Sequence, residues 1–273
     1  EPFCCWVSFG GPHEPWDTPE PYASQYDPAA MPAPAPVPVD AAERPPGGLD
    51  DLCRRQNHDL QAEEIAQMRA DYAGNISLID DQIGRILEVL EKRGALDNTI
   101  IALVSDHGEM NGDCGLIYKE NFLDGAVRVP LLLRTPQSAA GHNTGQVSQA
   151  PVEWFDLGPT LVELAGAQMD YPQFARSLCP LLQNPQGRIR DEALAELKGE
   201  YMLLNETWKA AFNAQGEIYL LFDVYNDPGE SQNLAGLPTL RPVEAQMRRR
   251  LLQRLAQSQL DGTPYYTSLG YKD

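Results

Sequence analysis

The residues most suited to chemistry are a neighbouring carboxylate and imidazole, Asp106 and His107. They directly follow a short apolar run, so both side chains are expected at the end of a strand. A carboxylate oxygen and an imidazole nitrogen at such a place can face one divalent metal ion. An isolated Asp-His pair is more often a turn cap beside a satisfied polar residue, so the metal interpretation depends on the surrounding sequence.

Two further residues complete the candidate site. Lys119 lies in a glycine-punctuated loop, where an ammonium can hold an anionic substrate or steady a leaving oxygen. His13 lies in a proline-rich loop and can donate a hydrogen bond or act as a general acid near neutral pH. The structural alternatives are a solvated Lys119 paired with Glu120 and a His13 that only supports its loop.

Short apolar runs must position these loops. The run at 3–9 (FCCWVSF) predicts a buried strand that leads into the loop carrying His13. The run at 99–105 (TIIALVS) is too short for a helix and predicts a strand buried on both faces, as in a parallel sheet. Open α/β sheets place their sites at the carboxyl ends of strands, which is where Asp106 stands.

A helix is predicted between these two strands. Apolar residues at helical spacing cover 58–93, with Gly94 as the stop and Gly74 as a candidate break. The preceding residues 27–48 are rich in Pro, Ala and Gly and predict an extended surface excursion within the domain. Two more elements follow the site: a strand at 129–134 and a helix at 156–165 capped by Asp156.

The pattern of the sequence changes after residue 185. Short alternating segments separated by turn residues predict a small antiparallel sheet: 193–197, 201–205, 208–213 and 218–224. A basic helix is predicted over 241–257. We therefore expect an α/β fold, with a mixed sheet flanked by helices over 1–185 and an antiparallel sheet plus helix subdomain over 186–273.

Composition restricts the classes of function. Lys and Arg total 21 against 39 Asp and Glu, a formal net charge of -18, so a nucleic-acid partner is disfavoured. No run of about 18 apolar residues occurs, so no membrane span is expected. The five cysteines show no paired spacing and do not suggest a disulfide framework. Unpaired thiols are more typical of a reducing compartment, but the compartment stays open.

The segment that begins at Asp106 combines several short motifs: Asp-His-Gly-Glu-Met, Gly-Asp-x-Gly-Leu, a Lys, and Gly-x-x-Arg-Val-Pro-Leu. Other distinctive segments stand in order on either side of it: Pro-His-Glu-Pro at 12–15, SLIDDQIGRIL at 77–87, DLGPTLVELAG at 156–166, and Asn-Asp-Pro-Gly-Glu followed by Asn-Leu at 226–234. Together these segments resemble the sulfatase family of the alkaline-phosphatase superfamily, from one end of the chain to the other.

This resemblance implies a metal-dependent hydrolase of sulfate esters with an alkaline-phosphatase-like fold. The family uses a formylglycine made from a Cys or Ser in Cys/Ser-x-Pro/Ala-x-Arg, whose hydrated aldehyde attacks sulfur. By the same resemblance, Asp106 and His107 would be metal ligands, and His13 and Lys119 would contact the sulfate and assist the leaving oxygen. The metal would be divalent, with Ca²⁺ as first choice and Mn²⁺ or Mg²⁺ as alternatives. The partner would be a small anionic sulfate ester.

Parts of the family pattern are not found in the sequence. None of the five cysteines lies in Cys-x-Pro-x-Arg, and no early strand ends in paired aspartates. Cys114 stands where many relatives have His. We therefore expect a C-terminal portion without the formylglycine segment, inactive by itself. Its incomplete sheet would expose an edge or apolar surface, so association into a homo-oligomer is expected.

Two alternatives stay open from the sequence. An Asp-His pair resembles the branch shared with phosphonate and phosphate ester hydrolases, so the central atom of the substrate is sulfur or phosphorus. The chain could instead be a non-catalytic sulfatase-like domain that binds anionic ligands or a protein partner. Retention of His13, Asp106, His107 and Lys119 favours descent from an enzyme.

Overall fold

The computed structural model describes residues 2–42, 60–136, 144–169 and 173–261, with side chains described as far as residue 257. Its α-helices are α1 (Ala62–Lys92), α2 (Asp124–Val127), α3 (Leu157–Leu164), α4 (Cys179–Gln183) and α5 (Arg241–Asp261). Its strands are β1 (Val39–Asp40), β2 (Ile101–Val104), β3 (Leu131–Arg134), β4 (Ala193–Leu197), β5 (Glu200–Leu204), β6 (Trp208–Phe212), β7 (Ile218–Asp223) and β8 (Gln232–Asn233). The mixed α/β class predicted from the sequence is confirmed.

Helix α1 is continuous over 31 residues, so the predicted break at Gly74 is wrong. Gly74 is needed for close packing instead, because a Cβ there would lie 2.6 Å from the carbonyl oxygen of Tyr22. The turn that contains Tyr22 therefore rests directly on the helix backbone. The predicted helix start at residues 58 and 59 lies outside the described residues.

Strands β2 and β3 pair with each other in antiparallel fashion, with Ile101 opposite Arg134. The strands themselves were predicted, but burial of β2 on both faces in a parallel sheet is wrong. Leu103 is 40% exposed and Leu132 is 57% exposed. The reason is that β2 and β3 have no third strand beside them among the described residues.

The strand predicted at 3–9 is also wrong for the described structure. Residues 2–10 have no assigned strand, and Phe3 and Trp6 are 66% and 77% exposed. An apolar run becomes a strand only where a neighbouring strand satisfies its backbone N–H and C=O groups. None of the described strands lies beside this segment. The exposed apolar surface is consistent with the expected association into oligomers, which stays a prediction.

The predicted antiparallel sheet near the end of the chain is confirmed. Strands β4, β5, β6 and β7 follow one another in an antiparallel meander. Its two faces are covered by different parts of the chain. One face packs against apolar side chains of the loop that follows β2: Met110, Leu116, Phe122 and Leu123. The other packs against Met247 and Leu251 of α5. The sheet therefore supports the candidate-site loop directly, and the division at residue 185 stays a prediction.

Helix α3 begins after Asp156 as predicted, but the side chain of Asp156 does not cap it. Its fully buried carboxylate instead receives both terminal nitrogens of Arg190, one of them at 2.7 Å, and the backbone N–H of Arg176 at 2.8 Å. Glu153 joins the same cluster, because its Oε1 accepts a hydrogen bond from Arg254 at 2.7 Å. This buried ion-pair cluster ties α3 to α5.

Candidate active site

His13 and Lys119, which are 106 positions apart in the sequence, meet in the structure with 2.5 Å between the imidazole Nε2 and the Lys119 Nζ. The imidazole comes from the proline-rich turn after residue 10, and the ammonium comes from the loop between β2 and α2. Lys119 keeps 24% of its side chain exposed, and His13 keeps 44%. Both groups therefore remain accessible to a ligand from solvent.

Glu14 lies between these two groups, and sequence reasoning did not select it. Its Oε2 is 3.0 Å from Nδ1 of His13 and 3.6 Å from Nζ of Lys119. The carbonyl oxygen of Glu14 is also 3.0 Å from the same Nδ1. Because Nδ1 faces two acceptors, it carries the imidazole proton, and Nε2 accepts from the Lys119 ammonium. The available signal was the position of Glu14 inside the Pro-His-Glu-Pro motif.

Asp106 and His107 lie beside this group at the carboxyl end of β2. Nε2 of His107 is 3.8 Å from Oδ2 of Asp106, and the rings of His107 and His13 are 6.1 Å apart in an edge-to-face arrangement. The structure thus brings all the predicted site residues together. Nδ1 of His107 faces the carbonyl oxygen of Gly108 at 2.9 Å, which favours the tautomer with a lone pair on Nε2.

The donor types of this pair fit a divalent cation, but their number does not complete a site. Asp106 offers an oxygen on a side chain that is 76% exposed, and His107 offers the nitrogen lone pair. Calcium takes about six to eight ligands and magnesium about six. Within the described ranges, no three His, Cys, Asp or Glu side chains are grouped to hold a metal. Asp106 and His107 therefore fit as part of a larger ligand set.

Glu109 organises the loop that carries Lys119. Its Oε1 accepts backbone hydrogen bonds from Asn111, at 3.0 Å, and from Tyr118. The carbonyl oxygen of Tyr118 accepts the N–H of Met110 at 2.8 Å. Tyr118 and Glu120, on either side of Lys119, have φ values of 69° and 73°. Such values are uncommon for residues other than glycine, so the surrounding contacts hold this backbone in place.

The partners of Glu120 and Tyr118 define the surroundings of Lys119. Glu120 pairs with Lys198 at 2.8 Å, and this hydrogen bond lowers the pKa of the Glu120 carboxyl group. Lys119 is directed towards His13 and Glu14, and its positive charge also contributes to the lowered pKa of Glu120. The ring of Tyr118 stacks on Trp16 with centroids 5.9 Å apart.

Two family models match the chain. The model described as Sulfatase matches residues 1–167, and the model described as N-sulphoglucosamine sulphohydrolase, C-terminal, matches residues 112–257. The candidate site lies within the first match, and the loop of Lys119 lies within both.

Curated relatives and solved structures agree with these matches. The chain is 32% identical over 247 residues to a choline-sulfatase of Rhizobium meliloti, covering 87% of this chain and 47% of that protein. It is 30% identical over 274 residues to the multifunctional alkaline phosphatase superfamily protein PehA of Trinickia caryophylli, covering 87% and 52%. The chain thus spans about half the length of the curated relatives it matches.

A phosphonate monoester hydrolase of Agrobacterium radiobacter has a similar solved structure. The two structures superimpose with a TM-score of 0.79 at 27% sequence identity, and the matched region covers 94% of this chain and 58% of the hydrolase chain. Three observations indicate the same family: the shared fold, the motifs around Asp106, and the first family match, which extends over more than half of the chain. The chain belongs to the sulfatase family of the alkaline-phosphatase superfamily.

Proposed function

We propose that the complete protein hydrolyses sulfate esters and that His13 and Lys119 bind the sulfate group and assist the leaving oxygen. The observation that carries this proposal is the 2.5 Å contact between Nε2 of His13 and Nζ of Lys119. Asp106 and His107 adjoin this contact through the edge-to-face packing of the two imidazoles. A cation and an imidazole thereby lie side by side, each with part of its side chain exposed, which suits an anionic ester.

Each side chain has a distinct role in this proposal. Lys119 donates hydrogen bonds from its ammonium to the anionic oxygens of the ester. When a bound anion takes over the hydrogen bond from Lys119, Nε2 of His13 is free to take up a proton from solvent, and the resulting imidazolium delivers that proton to the departing oxygen. The carboxylate of Glu14, 3.0 Å from Nδ1, stabilises the positive charge that the imidazole carries before this transfer. In this step the bond between sulfur and the ester oxygen breaks, and that oxygen leaves with the proton as a neutral alcohol. The sulfur bonds instead to the nucleophile that, in this proposal, other parts of the complete protein would supply.

We also propose that Asp106 and His107 contribute to a divalent metal site. Members of the sulfatase family generally use a divalent metal and a formylglycine. A bound cation supplies charge neutralisation for the ester. Ca²⁺ is the first choice, since a carboxylate oxygen is a hard ligand, with Mn²⁺ and Mg²⁺ as alternatives. The remaining ligands and the aldehyde residue belong, in this proposal, to other parts of the complete protein.

A phosphonate or phosphate ester is the second candidate substrate class. It is favoured by the phosphonate monoester hydrolase fold at a TM-score of 0.79 and by the histidine at position 107. Sulfate esters rank first, because the family model over residues 1–167 is described as Sulfatase, and the second model also names a hydrolase that removes a sulfo group. Among the described helices, none has the length and apolarity of a membrane span.

The test is turnover by the full-length protein, co-expressed with the system that forms the aldehyde and supplied with Ca²⁺, Mn²⁺ or Mg²⁺. Aryl sulfate, aryl phosphonate and phosphodiester substrates are compared by kcat/KM. We expect the sulfate ester to be hydrolysed with the highest kcat/KM. A higher value for the phosphonate would move the assignment to phosphorus. No turnover of any ester by protein that carries the aldehyde would favour the non-catalytic binding domain.

A further inference from the structure

We propose that the stacked rings of Trp16 and Tyr118, called the aromatic clamp, set the separation of His13 and Lys119 and thereby the rate of the chemical step. The proposal rests on the function proposed above. It adds two positioning residues, which act through their neighbours and do not touch the reacting atoms.

The aromatic clamp joins the two loops that carry the catalytic groups. Trp16 follows the turn that contains His13, three positions further along the chain, and Tyr118 directly precedes Lys119. The ring centroids are 5.9 Å apart, and the planes are inclined by 17°. This geometry is within the range of favourable offset stacking. Because each ring is close in sequence to one catalytic side chain, any slip between the rings also moves His13 relative to Lys119.

The Tyr118 end of the aromatic clamp is anchored to the segment that follows β2. Its backbone N–H donates to Glu109 Oε1, and its carbonyl oxygen accepts the N–H of Met110 at 2.8 Å. Its φ of 69° is an uncommon and strained value for a residue with a side chain. These bonds hold Tyr118 in a conformation that directs its ring to Trp16 and the next residue to His13.

Lys119 needs this support because its side chain is long and flexible. A hydrogen bond to one imidazole nitrogen restrains the ammonium but not the loop backbone, and fixing such a side chain costs conformational entropy. The ring of Tyr118 also contacts the ammonium, with 5.8 Å from Nζ to the ring centroid. That distance is within the range of a cation–π interaction. Tyr118 therefore restrains both the backbone and the tip of Lys119.

The experiment uses the full-length protein with the variants Trp16→Leu and Tyr118→Leu and the conservative variants Trp16→Phe and Tyr118→Phe. The matched control is Tyr225→Leu, which removes an aromatic ring that is 76% exposed. For each protein, kcat and KM are measured on the best ester. Hydrogen exchange of the peptide covering 115–121 and the melting temperature are also measured.

We expect each leucine variant to lower kcat about tenfold to a hundredfold, because displacement of a catalytic group by about 1 Å costs that much. KM should change by less than about threefold. Each phenylalanine variant should retain most of the wild-type kcat, and Tyr225→Leu should have the same kcat and KM as the wild type. The double leucine variant should be no slower than the worse single variant, because both break one contact.

Three outcomes would contradict the proposed role of the aromatic clamp. The first is a raised KM with unchanged kcat, which would mean that the rings contact the substrate. The second is multiplicative loss in the double variant. The third is unchanged exchange at 115–121 in both leucine variants. If the wild type hydrolyses no ester, the proposed function fails, but the exchange measurement still decides whether Trp16 restrains the loop of Lys119.

Discussion

Gly108 packs directly against Gly125, so closely that a Cβ at residue 108 would lie 2.0 Å from the Gly125 carbonyl oxygen. The N–H of Gly108 also donates to the carbonyl oxygen of Ala126 at 2.8 Å. The chain therefore passes against α2 immediately after the Asp106–His107 pair. This contact fixes the position of the backbone between the Asp106–His107 pair and the loop that carries Lys119.

Gly108→Ala should destabilise the protein by more than about 2 kcal/mol, because the backbone carbonyl that blocks the methyl group cannot rotate away as a side chain can. The matched control is Gly84→Ala in α1, where an added Cβ meets nothing within 4 Å. That variant should stabilise by about 0.5–1 kcal/mol, the helix propensity difference. Urea unfolding measures both, and equal effects would contradict the close packing of Gly108.

Lys119→Ala should lower kcat/KM on a sulfate ester by about a hundredfold to a thousandfold, because a charged donor to the anion is lost. Lys92→Ala is the control, since Lys92 is 74% exposed at the end of α1 and should leave the rate unchanged. Steady-state kinetics of the full-length protein measures the effect. A similar loss in both variants would point to general destabilisation.

His13→Ala should slow esters with poor leaving groups more than esters with good ones. A general acid contributes about a hundredfold or more when the departing alkoxide is basic, and little when it is already stable. The comparison is between an alkyl sulfate and a nitrophenyl sulfate. A uniform loss on both substrates would assign His13 to sulfate binding alone.

Asp106→Asn and His107→Ala should each weaken binding of Ca²⁺ or Mn²⁺ by the full-length protein at least about tenfold, since each removes one donor. Asp97→Asn is the control, because Asp97 is 74% exposed and pairs with Arg134 away from the site. Calorimetric titration of metal-depleted protein gives the affinities directly. Unchanged affinity in both site variants would remove these residues from the metal site.

Arg190→Met should destabilise the fold by about 3–5 kcal/mol, because it leaves the buried carboxylate of Asp156 without its cation. The Arg190 and Asp156 side chains are 2% and 0% exposed. The control lies two positions away: Arg188 is 46% exposed and pairs with Glu206, so Arg188→Met should cost less than about 1 kcal/mol. A small cost for Arg190→Met, measured by urea unfolding, would argue against the buried pair.

The carboxyl group of Asp124 should make the free energy of unfolding depend on pH in the acid range. Burial alone would raise the pKa of its carboxyl group, but the ammonium of Lys209, 2.8 Å away, holds that pKa below its ordinary value. A lowered folded-state pKa means that Asp124 stabilises the fold above about pH 4 and loses this contribution as pH falls through the folded pKa. Asp124→Asn should therefore be less stable than the wild type at pH 7, with a gap that narrows below about pH 4. A constant gap in denaturant unfolding from pH 7 to 2.5 would refute this.

The sequence by itself determined the family, the strand before Asp106, the helix α1 and the antiparallel sheet. It also proposed the candidate site residues His13, Asp106, His107 and Lys119. These features depend on periodicity and on motifs that are contiguous in the chain. Alternating apolar residues favour a strand, and a short motif places its own residues side by side.

Only the tertiary structure decided which distant groups meet. Three contacts join residues that share no local sequence pattern: His13 with Lys119, Glu14 with Lys119, and Asp156 with Arg190. The run at 3–9 has the composition of a strand but lacks a strand beside it among the described residues. Burial and hydrogen-bond partners are supplied by the rest of the fold, so the same local sequence can end as a buried strand or as an exposed extended segment.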